Sequence, residues 1–167
     1  RVVNARATIY TREGEYNTET NISRLYDRSM VVGTEGGQQL TADTIFYDKV
    51  AGYGEGFGAV ELTDTANCSI VLGDYGYYNQ LQDSAFITGH AEMRQYNQGD
   101  TLYMHGRCIE SFRDIRITEM PEDTAIGRPA YNIADTSHVA VVYPRVRFWR
   151  VDLQGVADSI RFTQRDS

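Results

Sequence analysis

A unit of about 31 residues recurs along this chain, and that recurrence limits the fold more than any other feature. The segment Thr41-Ala-Asp-Thr-Ile-Phe-Tyr-Asp48 returns as Leu72-Gly-Asp-Tyr-Gly-Tyr-Tyr-Asn79, as Gln98-Gly-Asp-Thr-Leu-Tyr-Met-His105 and as Val156-Ala-Asp-Ser-Ile-Arg-Phe-Thr163. Each copy is a small residue, an aspartate, then an apolar or aromatic strand. A weaker first copy, Thr11-Arg-Glu-Gly-Glu-Tyr-Asn17, keeps Gly14, Tyr16 and Asn17 but has Arg12 in place of the acid. The anchors thus fall at 12, 43, 74, 100 and 158, with separations of 31, 31, 26 and 58. A second series follows at similar spacing: Ser29–Gly33, Gly58–Leu62, Gly89–Met93 and Arg145–Phe148, with Met30, Val60, Ala91 and Val146 as matching inward positions.

Period-2 alternation within these stretches marks half-buried strands. Ile45 and Tyr47, Ile70 and Leu72, Ile87, Ala91 and Met93, and Ile160 and Phe162 fall on one side of their strands, while Thr88, His90, Glu92 and Arg94 form a solvent face. Gly52, Gly54, Gly56 and Gly58 share the side of Val60 and Leu62, which leaves room there for another backbone or a ligand. A unit of two strands cannot bury its own apolar face, so successive units must stack. The expected fold is all-β, an elongated, solenoid-like repeat of paired antiparallel strands. It is expected as one domain over residues 1–167, cut from a longer protein, with an inserted loop or irregular hairpin at 119–137 around Pro121, Gly127 and Pro129.

Composition agrees: 12 Tyr and 6 Phe against a single Trp favour strands over helices. A net charge of −7 argues against nucleic acid, whose backbone needs a basic footprint. No stretch approaches 18 consecutive apolar residues, so no spanning helix is expected. Any export signal is expected upstream of Arg1, since the first ten residues already read as strand.

Catalytic and metal chemistry finds no motif. Asp43, Asp74, Asp100 and Asp158 recur too far apart for a calcium-binding β-roll and read as turn-capping acids at strand starts. His90, His105 and His138 have no metal-ligand spacing and read as structural or surface residues. Cys68 and Cys108 read as semi-buried small residues, with a disulfide as the alternative. There is no strained serine turn and no phosphate-binding glycine loop. The acids Glu13 and Glu15, and Glu119, Glu122 and Asp123, read as solvated faces rather than a glycosidase pair. No enzyme, no metal and no cofactor is expected.

The pattern (A/G)-D-x-(I/L)-x-(Y/F), followed some fifteen residues on by G-x-(V/A), resembles the OstA-like family, of the LptA and LptD N-terminal domain type. The stretches Leu72–Asn79, Ala85-Phe-Ile-Thr-Gly-His-Ala91 and Gln98–Tyr103 carry the resemblance best. Tyr16-Asn-Thr18, Asp27-Arg-Ser29, Gly52-Tyr-Gly54 and Asp152-Leu-Gln-Gly155 look most like the long OstA-like proteins of Bacteroidetes. The resemblance covers the chain except 119–137. Departures are Arg12 in place of the repeat acid, and His105-Gly-Arg-Cys-Ile109 where a further acidic copy would stand.

The resemblance implies a twisted, open-edged β-jellyroll, or taco. It implies a non-catalytic periplasmic module that binds and carries lipopolysaccharide or a related lipid in outer-membrane assembly. Its partners would be other OstA-like or Lpt domains joined through edge strands, or further copies of itself edge to edge. The residues expected to line a lipid groove are Ile45, Tyr47, Val60, Leu62, Ile70, Leu72, Ile87, Met93, Leu102, Met104, Ile160 and Phe162. The alternative is a structural spacer or protein-interaction repeat of the cell envelope, with a dry and fully packed interior.

Overall fold

The computed structural model describes residues 1–3, 7–33, 37–66, 68–97, 99–122, 127 and 129–165. Those residues form seventeen strands and no helix. In order these are β1 Val2–Val3, β2 Ala7–Tyr10, β3 Gly14–Asn17, β4 Ile22–Leu25, β5 Ser29–Gly33 and β6 Gln38–Ala42. Then come β7 Thr44–Asp48, β8 Tyr53–Asp64, β9 Ser69–Asn79, β10 Ser84–Thr88, β11 Glu92–Asn97 and β12 Asp100–His105. The last five are β13 Cys108–Met120, β14 Tyr131–Tyr143, β15 Val146–Arg150, β16 Leu153–Ala157 and β17 Ile160–Arg165. All are joined in one open antiparallel sheet, as the all-β expectation requires.

The ladder splits into two courses. One runs β1-β2-β5-β6-β8-β9-β11-β12-β15-β16, the other β3-β4-β7-β8-β9-β10-β13-β14-β17. β8 and β9 serve both, because an irregularity between Phe57 and Val60 lets one end of β8 pair with β7 and the other with β6. The chain steps between courses at 11–13, 26–28, 43, 58–59, 74, 89–91, 106–107, 144–145 and 158–159.

The steps are tied together. Asp43 N donates to Gly58 O at 2.9 Å, Asp74 N to Gly89 O at 2.8 Å, and Gly106 N to Ala91 O at 3.1 Å. Gly58 and Gly89 have φ of +74° and +75°, and a Cβ on either would come within 2.6 to 2.7 Å of Asp43 or Asp74. This explains why the two series share a period: the aspartate of one step packs on the glycine of the next, a backbone state L side chains avoid.

One anchor is displaced from its expected role. Asp100 begins β12 after a hairpin turn, 31 residues beyond Ser69, which begins β9 in the same way. The next step in the same direction as Asp74, from the first course to the second, is at Gly106 and Arg107. Glycine followed by aspartate opens a strand in both settings, so sequence cannot separate them. The separations at the steps become 31, 31, 32 and 52, the last being one 31-residue period plus 21 extra residues. Of the two expectations for these extra residues, a loop or an irregular hairpin, a hairpin is what forms, and its arms are regular. Much of 119–137 is strand, because β13 and β14 pair in unbroken register from Cys108↔Tyr143 to Met120↔Tyr131. The tip carries Pro121, Gly127 and Pro129; Asp123 lies outside the described residues.

Asp100 accepts from Thr101 N at 2.8 Å at the start of β12, but the second-course hairpin turns are capped by other residues. Asn17 Oδ1 accepts from Glu19 N and Thr20 N, Asp48 Oδ1 from Val50 N and Ala51 N, and Asn79 Oδ1 from Leu81 N and Gln82 N. These three residues, again 31 apart, fold back the second-course hairpins. Asp43 and Asp74 instead pair with side chains, Arg28 at 3.1 Å and His90 at 2.7 Å.

Candidate functional site

Inward side chains form continuous rows across each course. In the first course Ile9, Val31, Leu40, Leu62, Val71, Met93, Met104 and Phe148 stand in one register row. The facing row of the second is Leu25, Ile45, Gly56, Gly76, Ile87, Ile109, Val142 and Ile160. Both rows supply one apolar cluster. At Gly56 an added Cβ would lie 3.1 Å from Ala42 Cβ, so the courses approach closely on the side of the steps. There Ala42, Met104, Val142 and Val146 are completely buried.

Toward the hairpin turns the packing opens. A cavity of about 490 Å³ is lined by Ala7, Val31, Leu40, Leu62, Ile45 and Tyr47 among others. A second, of about 310 Å³, is lined by Val71, Ala85, Met93, Ile109, Val139 and Phe162 among others. Gln38, Leu62 and Tyr78 border both, so the two adjoin and make a trough between the courses.

One register row nearer the turns, the lining becomes amphipathic. In the first course that row reads Gln38, Asp64, Ser69, Gln95, Leu102. In the second it reads Tyr16, Ser23, Tyr47, Gly54, Tyr78, Ala85, Ser111, Ala140, Phe162. Tyr16, Tyr47 and Tyr78 are spaced by the same 31 residues. Burial first, and then Asp83, push the Tyr78 phenol up to about 12, so it stays a neutral donor across the physiological range. Asp83 in turn holds Arg113 Nη2 at 2.7 Å and His138 Nδ1 at 3.8 Å.

Of the residues expected to line a groove, Ile45, Tyr47, Leu62, Met93 and Phe162 border the two cavities, and Val60, Ile87, Leu102, Met104 and Ile160 border neither. Ile45, Val60, Ile87, Met93 and Met104 lie in the buried cluster, with Leu62, Leu102, Ile160 and Phe162 packed on it. Tyr47 lines the larger cavity. Ile70 and Leu72 do not join them: they pair with Thr63, Arg94, Glu61 and Glu92 on the outer face, and Val71 points inward. In an 11-residue strand shared by two courses, a one-residue phase difference exchanges the faces. Val71 was missed for that reason; on β5 the same one-residue phase puts Val31 rather than the expected Met30 in the inward row with its partner Leu40, although the repeat period would have placed all three once one unit was in phase.

Among the described residues, no group of three or more His, Cys, Asp or Glu is arranged to hold a metal ion. Each histidine lies close to a carboxylate, His105 Nε2 at 3.3 Å from Glu92. Cys68 and Cys108 are both free thiols, and Cys68 is exposed rather than semi-buried. No helix among the described residues is long and apolar enough to cross a membrane. No protein-family model matches the chain, and no curated protein sequence matches it.

Proposed function

We propose that this chain is a non-catalytic lipid carrier of the OstA-like type, a periplasmic module whose trough holds the acyl chains of lipopolysaccharide or a related lipid during outer-membrane assembly. The observation that carries this reading is the trough itself. Two adjoining cavities of about 490 and 310 Å³ lie between the apolar rows of the two courses. The larger is within the ~300–1,000 Å³ range of ligand sites. Each acyl methylene buried there would contribute about 0.8 kcal/mol, so a chain of a dozen carbons supplies useful affinity without a charged contact.

The taco-like jellyroll of that family fits two courses that pack tightly along the steps and part toward the turns. Four strands, β1, β3, β16 and β17, have a partner on one side alone among the described residues. In this reading those edges accept strands from neighbouring OstA-like or Lpt domains, or from a second copy. The spacer alternative draws on the completely buried side of the core, where no ligand could enter.

Native mass spectrometry of the purified chain with lipopolysaccharide, combined with photocrosslinking from Leu62 and Met93, tests the proposal. A ligand-bound mass with crosslinks at both positions supports the carrier. An unliganded mass with an intact β-sheet spectrum transfers support to the spacer.

A further inference from the structure

We propose that the part of the ligand seated at the mouth of the trough is uncharged and rich in hydroxyl or amide groups, and that ionised phosphates are kept away from it. This inference rests on the carrier reading and narrows it. Among the described residues, no lysine or arginine lines either cavity. The ionised groups that do are carboxylates, Asp64 from the first course and Asp83 from the second, with His138 beside them. Arg113 stands near, but its Nη2 is engaged by Asp83 at 2.7 Å.

The remaining polar lining consists of groups that both donate and accept. Gln38, Gln39, Gln80 and Gln95 supply amides, and Tyr47, Tyr78, Ser69 and Ser111 supply hydroxyls. These are complementary to sugar hydroxyls and to amide-linked chains. Asp64, by contrast, repels a phosphate at short range in a site partly withdrawn from water, whereas the charge of Asp83 is offset by Arg113 at 2.7 Å. Tyr47 and Tyr78, 31 residues apart, each bring an aromatic ring and a hydroxyl to the larger cavity, which suits the boundary between acyl chain and head. An amphiphile would therefore sit with its uncharged linkage region at the Tyr–Gln rows and any phosphate turned outward to solvent.

Two amphiphiles with the same twelve-carbon chain separate the possibilities: dodecyl maltoside and dodecyl phosphate, titrated calorimetrically into the whole chain below their micelle concentrations. The expected result is at least tenfold tighter binding of the maltoside, and about fivefold recovery of dodecyl phosphate binding in Asp64→Asn, which removes one like charge and keeps the side-chain shape. Equal or tighter binding of the phosphate by the unaltered chain overturns the inference while leaving the carrier intact. Absence of binding by both amphiphiles overturns the carrier reading and this inference together.

Discussion

Met104 and Leu72 are both apolar strand residues, yet the fold uses them in opposite ways. Met104 is wholly buried in the row between Met93 and Phe148, whereas Leu72 shares the outer face with Glu61 and Glu92. Met104→Ala should lower unfolding stability by about 2–5 kcal/mol through lost contact and residual cavity, and Leu72→Ala by well under half of that. Urea denaturation of the two variants checks the register directly. Gly89 provides a second residue-level test. With φ of +75° and Asp74 Cβ 2.7 Å from where a methyl would sit, Gly89→Ala should cost about 1–2 kcal/mol or more. The same denaturation experiment, with m unchanged, would establish that the loss is local strain rather than a change in compactness.

Among the elements, the β13–β14 hairpin departs most from the repeat. β10 pairs with β13 as far as Ser111, and β17 with β14 as far as Ser137, so the hairpin beyond these points is a two-stranded ribbon. Ile115 and Ile117 on it remain 57% and 66% exposed. A ribbon of two strands adds little stability by itself. Replacing residues 119–132 by an Asn-Gly turn between the partners Thr118 and Ile133 should therefore leave the unfolding free energy within about 0.5 kcal/mol of the parent. A larger loss in thermal or urea unfolding would mean that the ribbon braces the courses.

For the molecule as a whole, the tyrosines set a limit at high pH. Burial chiefly raises Tyr53 and Tyr78, and a hydrogen bond to Glu110 chiefly raises Tyr143; Tyr78 and Tyr143 reach about 12. A phenol with a raised folded pKa contributes stability that is complete below the unfolded value near 10 and is lost as pH climbs through the folded value. Stability should accordingly hold from pH 7 to 9 and fall between about 10 and 12. A pH series of urea midpoints checks this, and Tyr78→Phe should make the fall shallower. The outer face adds to the alkaline sensitivity, since Tyr53 and Tyr75 both donate to Glu55 Oε1, at 2.8 and 2.9 Å.

The repeat period, the all-β class and the inward positions Val60, Ala91 and Val146 could all be read from the chain alone, because period-2 alternation and a recurring Gly and Asp are local signals. Tyr16, Tyr47 and Tyr78 were legible in the same way, as residues, although their common row at the trough mouth was not. Three things needed the folded arrangement. The role of Asp100 depends on whether its strand follows a hairpin or a step between courses, which the same Gly-Asp pair can do. The face taken by Ile70, Val71 and Leu72 depends on pairing with β8 and β11, since a strand apolar at successive positions carries no phase of its own. The trough depends on how far two courses part at their turn margins, a distance set by packing between residues far apart in sequence. Local chemistry specifies strands and turns; a shared interior exists once non-local pairing has fixed which side of each strand faces in.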